Sequence, residues 1–267
     1  MLGKLLRNEL KATGRLFLIL YALLALMTGF YKVSRLLPTR FVVTQSIMVA
    51  VSTALYVVIV VGVVAMSFVI MVQRFYKNLL GDEGYLMHTL PVTAGQHILA
   101  KLMVSLLWNV LSFALVLLSV ALLAANPADW GRQWAYIVSL IEPLAQEAGF
   151  NYATLLLYAA IWLFVVAVDK TLLCYASLSL GQWKASKNKL GAAIGFAALL
   201  YMLEQVVPLL ILRVVEYARP GWIIQAQAPA QGIVRFMFWW SVCASAVCAA
   251  VYACVSNRAL KKHLNLA

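Results

Sequence analysis

The side chains able to do chemistry are few in this chain, and their spacing argues against an active site. It has three histidines, His88, His97 and His263, and four cysteines, Cys174, Cys243, Cys248 and Cys254. No metal-ligand spacing appears among them, so the histidines read as solvated and the cysteines as small buried hydrophobes. Cys243 and Cys254 share a helical face, but they stand about 16 Å apart along the axis, too far for a disulfide. An intramembrane protease would need paired carboxylates, His-Glu-x-x-His, or a serine and a histidine at matched depth; the sequence offers none of these. It also lacks a Gly-x-x-x-x-Gly-Lys-Ser/Thr loop, so no catalytic, cofactor-binding or metal residue is expected. What remains is a short set of ionisable groups inside apolar runs: Asp169-Lys170, and Glu204 beside Gln205 and one turn before Pro208.

A carboxylate within an apolar span is costly and faces either a bundle interior or an aqueous path. Glu204 therefore has two readings. It lines a translocation path and meets a cationic substrate group, or it is a satisfied polar contact at a helix seam near the carbonyl that Pro208 frees. Asp169 and Lys170 fall about twenty residues beyond Asn151, near one edge of the hydrocarbon, where Lys170 can snorkel. Adjacent residues do not face each other on a helix, so the pair is expected to take different partners, as a boundary anchor or as a gate.

The elements that carry these groups follow from composition. With 64% hydrophobic and 11% charged residues, 267 residues cannot hide their apolar surface in a soluble core. The apolar runs are continuous rather than alternating, so the spanning elements are helices. The expected fold is all-α and polytopic, with six spans near 16–37, 41–72, 102–125, 152–180, 190–212 and 236–255 inside a transmembrane domain over 16–256. The second and fourth runs exceed the roughly twenty residues a bilayer needs, so they tilt or continue beyond it. Residues 1–15 place Leu2, Leu5, Leu6 and Leu10 on one face against Lys4, Arg7, Asn8 and Lys11, the pattern of an interfacial helix. No signal-peptide cleavage site follows.

The formal charge of +12 belongs to residues flanking the spans, where they meet lipid headgroups rather than nucleic acid. With both termini cytoplasmic, thirteen basic residues lie inside and seven outside. That bias predicts a multi-pass plasma-membrane protein with a cytoplasmic tail at 257–267. Two outer connections are more than loops. Residues 129–150 bring Trp130, Trp134, Ile137 and Ile141 to one helical face, and 213–235, broken by Pro220-Gly221 and Pro229, reads as a re-entrant hairpin. Gly191-Ala-Ala-Ile-Gly195 is a small-residue face suited to close helix packing, within the chain or between copies. Trp108, Trp162, Trp239 and Trp240 read as packing or lipid-facing aromatics, and Phe75, Tyr76, Tyr85 and Trp183 as residues of the inner interface.

Between spans two and three, the cytoplasmic segment 73–101 is punctuated like a folded element. Asp82 caps a short helix with Glu83 in its first turn and His88 near its end, both in accord with the helix dipole. Pro91 stops that helix, and Thr93 with Gln96 forms a capping box for the next.

The residues Arg74-Phe-Tyr-Lys-Asn-Leu79, Gly81-Asp-Glu-Gly-Tyr-Leu86 and Thr89-Leu-Pro-Val-Thr93 resemble the first cytoplasmic loop of ABC-2 type exporter permeases of Gram-positive bacteria. Leu5-Leu-Arg-Asn-Glu-Leu-Lys11 is similar to their N-terminal elbow helix, and the order of elements matches along the chain. Only the stretch around 74–101 is specific at residue level. Within that family the chain looks most like small permeases that pair with a separate ATPase, including exporters of amphipathic peptides of the phenol-soluble-modulin type. The resemblance implies a coupling helix formed by Asp82, Glu83, Tyr85, Leu86, Met87, His88, Thr89 and Leu90, docked on a cytoplasmic ATPase subunit that holds the ATP and Mg. It implies two ATPase copies and a second permease chain, identical or similar. Lys184, Lys187 and Lys189 are a second contact with the ATPase or simple positive-inside anchors. The implied activity is export of an amphipathic or hydrophobic substrate. The alternatives are an ion- or proton-coupled carrier, which would carry internal repeats and several buried charges, and a non-transporting membrane sensor.

Overall fold

A computed structural model describes residues 2–36, 42–80, 93–124, 130–184, 188–219 and 230–262. Every element among them is helical: α1 (Leu2–Leu36), α2 (Val42–Phe75) running into a π-helical turn (Tyr76–Leu80), α3 (Ala94–Ala124), α4 (Trp130–Glu147), α5 (Tyr152–Lys184), α6 (Lys189–Ala218) and α7 (Ala230–Lys262). All except α4 are long and apolar enough to cross a membrane, which gives six candidate spans and fits a multi-pass membrane protein. Each of the six runs for at least 30 residues, about 45 Å of helix, so all six outreach a hydrocarbon core of roughly 30 Å.

Two boundaries differ from those the sequence suggests. α1 is one continuous helix from Leu2 to Leu36, so residues 2–15 and the first span form a single element rather than two. One buried face explains this: Glu9, Thr13, Phe17, Leu24, Thr28 and Ser34 recur at helical spacing along its whole length. Of the segment 213–235, residues 213–218 continue α6 and 230–235 open α7, while 220–229 lie outside the described residues.

The chain divides into two compact units. Unit 1 comprises residues 1–74 and 103–134, and so holds α1, most of α2 and most of α3. Along α2 its exposed surface is apolar, with Val57, Val58, Val61 and Val64 all open, whereas much of its interior is polar. The Ser34 and Ser52 hydroxyls lie 3.0 Å apart, Tyr56 and Ser119 2.7 Å, Tyr21 and Ser112 2.8 Å, and Ser112 and Ser67 3.1 Å. Trp108 stacks on Phe17 at 4.4 Å between centroids and donates its Nε1–H to Thr13 Oγ1 at 2.8 Å. Arg74 pairs with the buried Glu9 at 3.5 Å. This inverted distribution suits a bundle solvated by lipid: apolar burial supplies little drive there, and small residues with cross-helix hydrogen bonds hold the seams.

Unit 2 comprises residues 75–102 and 135–267. α5 is its central rod, packed along both α6 and α7, which touch each other little. The second half of α5 is buried on nearly every side, from Asp169 through Tyr175 to Gln182. At Gly181 a Cβ would stand 2.7 Å from the Ala193 backbone nitrogen and Cβ, so α5 and α6 approach as closely there as glycine permits. The small-residue contact is therefore made by Ala193. Gly191 and Gly195 are both exposed and Gly195 has nothing within 4 Å, so their expected packing role moves to the residue midway between them.

Candidate functional site

Within unit 2, Lys170 of α5 turns toward α6 and gathers the intramembrane charges into one cluster. Its ammonium lies 3.1 Å from Asp169 Oδ2, bonds Glu204 Oε1, and sits 5.1 Å from the centre of the Tyr201 ring. The Asp169 side chain is fully buried and that of Glu204 is 9% exposed. Lys170 stands fourteen residues before Lys184 and Glu204 fifteen residues after Lys189, so both groups are about 21–23 Å from the adjoining ends of α5 and α6. The antiparallel helices thus bring them to the same level. Tyr252 of α7 borders the cluster, its hydroxyl donating to the Leu200 carbonyl 3.3 Å away, one turn before Glu204.

This arrangement corrects two expectations. Lys170 does not snorkel away from its neighbour toward a boundary; it serves both Asp169 and Glu204. Glu204 makes a polar contact at a helix seam, as one of its two readings has it, but its partner is Lys170 rather than a carbonyl freed near Pro208. The physical reason is that an ammonium in a medium of low dielectric gains more from a carboxylate within reach than from an extended stem. Two acidic side chains face one lysine, and Asp169 Oδ1 and Glu204 Oε2 have no hydrogen-bond partner among the described residues. Cys174 follows Lys170 by one turn and is a free thiol, as are Cys243, Cys248 and Cys254. Cys243 and Cys254 are exposed rather than buried.

The coupling residues expected from the sequence, Asp82, Glu83, Tyr85, Leu86, Met87, His88, Thr89 and Leu90, lie outside the described residues, as do Lys187 and His263. The flanks of that segment are described, and both belong to unit 2. On the near flank, Phe75 is fully buried rather than interfacial and stacks on Tyr175 at 4.0 Å between centroids. The π-turn that follows buries Asn78, Leu79 and Leu80, and the Leu80 carbonyl accepts from Gln182 Nε2 at 3.1 Å. On the far flank, the Thr93 N–H donates to Gln96 Oε1 at 3.2 Å, the backward half of the expected capping box. His97 and Lys101 are buried there, 4% and 5% exposed, so His97 is not solvated. A Cβ on Gly95 would come within 3.8 Å of Asn257 Oδ1 on α7. Lys184 is exposed at the end of α5, 5.2 Å from the Trp183 ring centre, and Lys189 opens α6.

Sequence reasoning missed the hydroxyl seams of unit 1 and the anchoring role of Tyr175 and Gln182. A signal for the seams was present: Ser105, Ser112 and Ser119 recur every seven residues, an interval that keeps one helix face aligned. No family model matches this chain, and comparison with curated proteins and with solved structures found no match.

Proposed function

We propose that this chain is the membrane permease subunit of an ATP-driven exporter of the ABC-2 type, worked by a separate cytoplasmic ATPase that grips the segment over 82–90. The observation that carries this reading is the anchoring of both flanks of 81–92 in unit 2. A displacement of that segment passes to α5 through the Phe75–Tyr175 stack and the Leu80–Gln182 hydrogen bond. α5 carries the charge cluster, so motion begun at the cytoplasmic end reaches Lys170 and Glu204. In this reading residues 2–15 act as the elbow at the inner interface, both termini are cytoplasmic, and Lys184, Lys187 and Lys189 form a second contact for the ATPase. Two permease chains and two ATPase subunits enclose the path, and the cargo is an amphipathic or hydrophobic molecule. ATP and Mg stay on the partner.

The test is copurification from the host membrane followed by transport in vesicles. A cytoplasmic ATPase is expected to come with the chain, and reversing the charges of Asp82 and Glu83 together, or Leu90→Pro, is expected to abolish export while membrane insertion is kept. Full transport by those variants would remove the coupling role. Modification of Tyr85 by a reagent confined to the outside of intact cells would invert the topology and end the proposal.

The buried cluster favours a second reading, an ion- or proton-coupled carrier, because intramembrane acids commonly lie on such paths. Collapse of the ion gradient with ATP maintained separates the two. An ATP-driven exporter keeps working, and a carrier stops.

A further inference from the structure

The outer faces of α5 and α7 enclose a second feature that the exporter reading leaves unused. Both helices begin at the same end of unit 2 and run parallel, and near that end they frame an open groove of about 460 Å³. Its walls are Leu155, Tyr158 and Ala159 from α5 and Ile233, Met237 and Phe238 from α7. Trp162 and Ser241 line its end farther along the two helices, where the indole N–H donates to the hydroxyl at 3.0 Å. Beside the other end, next to the lining residue Val234, is the exposed Arg235, its guanidinium 5.2 Å from the centre of the Phe150 ring. Phe150 meets Tyr158 edge-on at 5.3 Å, and Tyr158 stacks on Phe238 at 4.3 Å. A continuous aromatic line thus joins the cation to the apolar wall, and Arg235 pairs with no carboxylate among the described residues.

We propose that this groove holds an anionic phospholipid, with an acyl chain between α5 and α7 and its phosphate on Arg235. The occupant follows from the distribution of polarity. The shaft satisfies hydrocarbon, whereas a peptide backbone laid in it would leave its polar groups unpaired. The mouth carries one positive charge with donors in the fork geometry that suits a phosphate. The headgroup charge selects the lipid, because a basic residue at the membrane surface attracts anionic headgroups in particular.

The full chain is reconstituted in vesicles of phosphatidylcholine and phosphatidylglycerol carrying a trace of phosphatidylglycerol with a photoreactive group in its acyl chain, and the adducts are mapped by mass spectrometry. Adducts are expected on 155–162 and 233–241. They should fall about five-fold in Arg235→Gln, persist in Arg235→Lys, and vanish in Ala159→Trp, which fills the shaft. In the unaltered protein, excess phosphatidylglycerol should compete and phosphatidylcholine should not; this arm needs no variant to fold. Equal labelling by a photoreactive phosphatidylcholine, adducts spread evenly over α6, or a groove protected by a second copy of the chain would each overturn the assignment.

Discussion

At the scale of single residues, the decisive arrangement is one lysine between two acids. Removing a partner from a buried ion pair leaves an uncompensated charge, at a cost of about 3 kcal/mol or more. Because the Lys170 side chain keeps 35% of its exposure, the lower end applies. Lys170→Met is therefore expected to lower the detergent-solubilised melting temperature and the folded yield. Lys170→Met combined with Glu204→Gln and Asp169→Asn should recover most of that loss. A single variant as stable as the original would mean that the cluster is solvated in the membrane and that its charges are not coupled. A transport assay on the stable triple variant then asks a separate question, whether the charges serve movement or only packing.

At the scale of helices, contacts depend on what small residues allow. Gly181 has no room for a side chain, since the Ala193 backbone already occupies that volume at 2.7 Å. Gly181→Val should push α5 and α6 apart and reduce stability by about 1–3 kcal/mol, the usual cost of overpacking. Gly195→Val, with open space around it, should cost far less. Equal losses in the two variants would show that β-branching, not contact, sets the effect. In unit 1 the Ser34 and Ser52 hydroxyls, 3.0 Å apart, mark where α1 and α2 touch. Ser34→Cys with Ser52→Cys is expected to form a disulfide on mild oxidation, visible as a mobility shift after a protease cut between the helices. Failure to cross-link would place these faces elsewhere.

At the scale of the whole molecule, the helices were readable and their partners were not. Long uncharged runs such as 47–72 announce a span by themselves, because hydropathy depends on local composition alone. The capping of α3 was readable for the same reason: Thr93 and Gln96 are three residues apart and settle their bond locally. The charge cluster required knowing that residues 170 and 204, thirty-four apart in sequence, meet at one level of antiparallel helices. No periodicity encodes that. The glycines of α6 misled for a related reason, since small size permits close approach but does not say which of several small residues faces the neighbour. Phe75 reads from sequence as an interfacial aromatic and His97 as a solvated histidine without a ligand pattern, whereas tertiary burial, for Phe75 against Tyr175, decides their environment. If the exporter reading is right, fixing Phe75 to Tyr175 by paired cysteines should leave ATPase binding intact and block transport only if the stack must open. Transport by the cross-linked protein would mean that this joint moves as one piece.

The close approach at Gly181 and the salt bridge at Lys170 lie eleven residues apart on α5, and their counterparts Ala193 and Glu204 lie eleven apart on α6. These two fastenings differ in kind, one dry and steric, the other ionic and exchangeable. α6, which leans little on α7, is thus hung on α5 like a door leaf: a steric hinge pin sits near the adjoining ends of the two helices, and an ionic latch sits some 16 Å farther along.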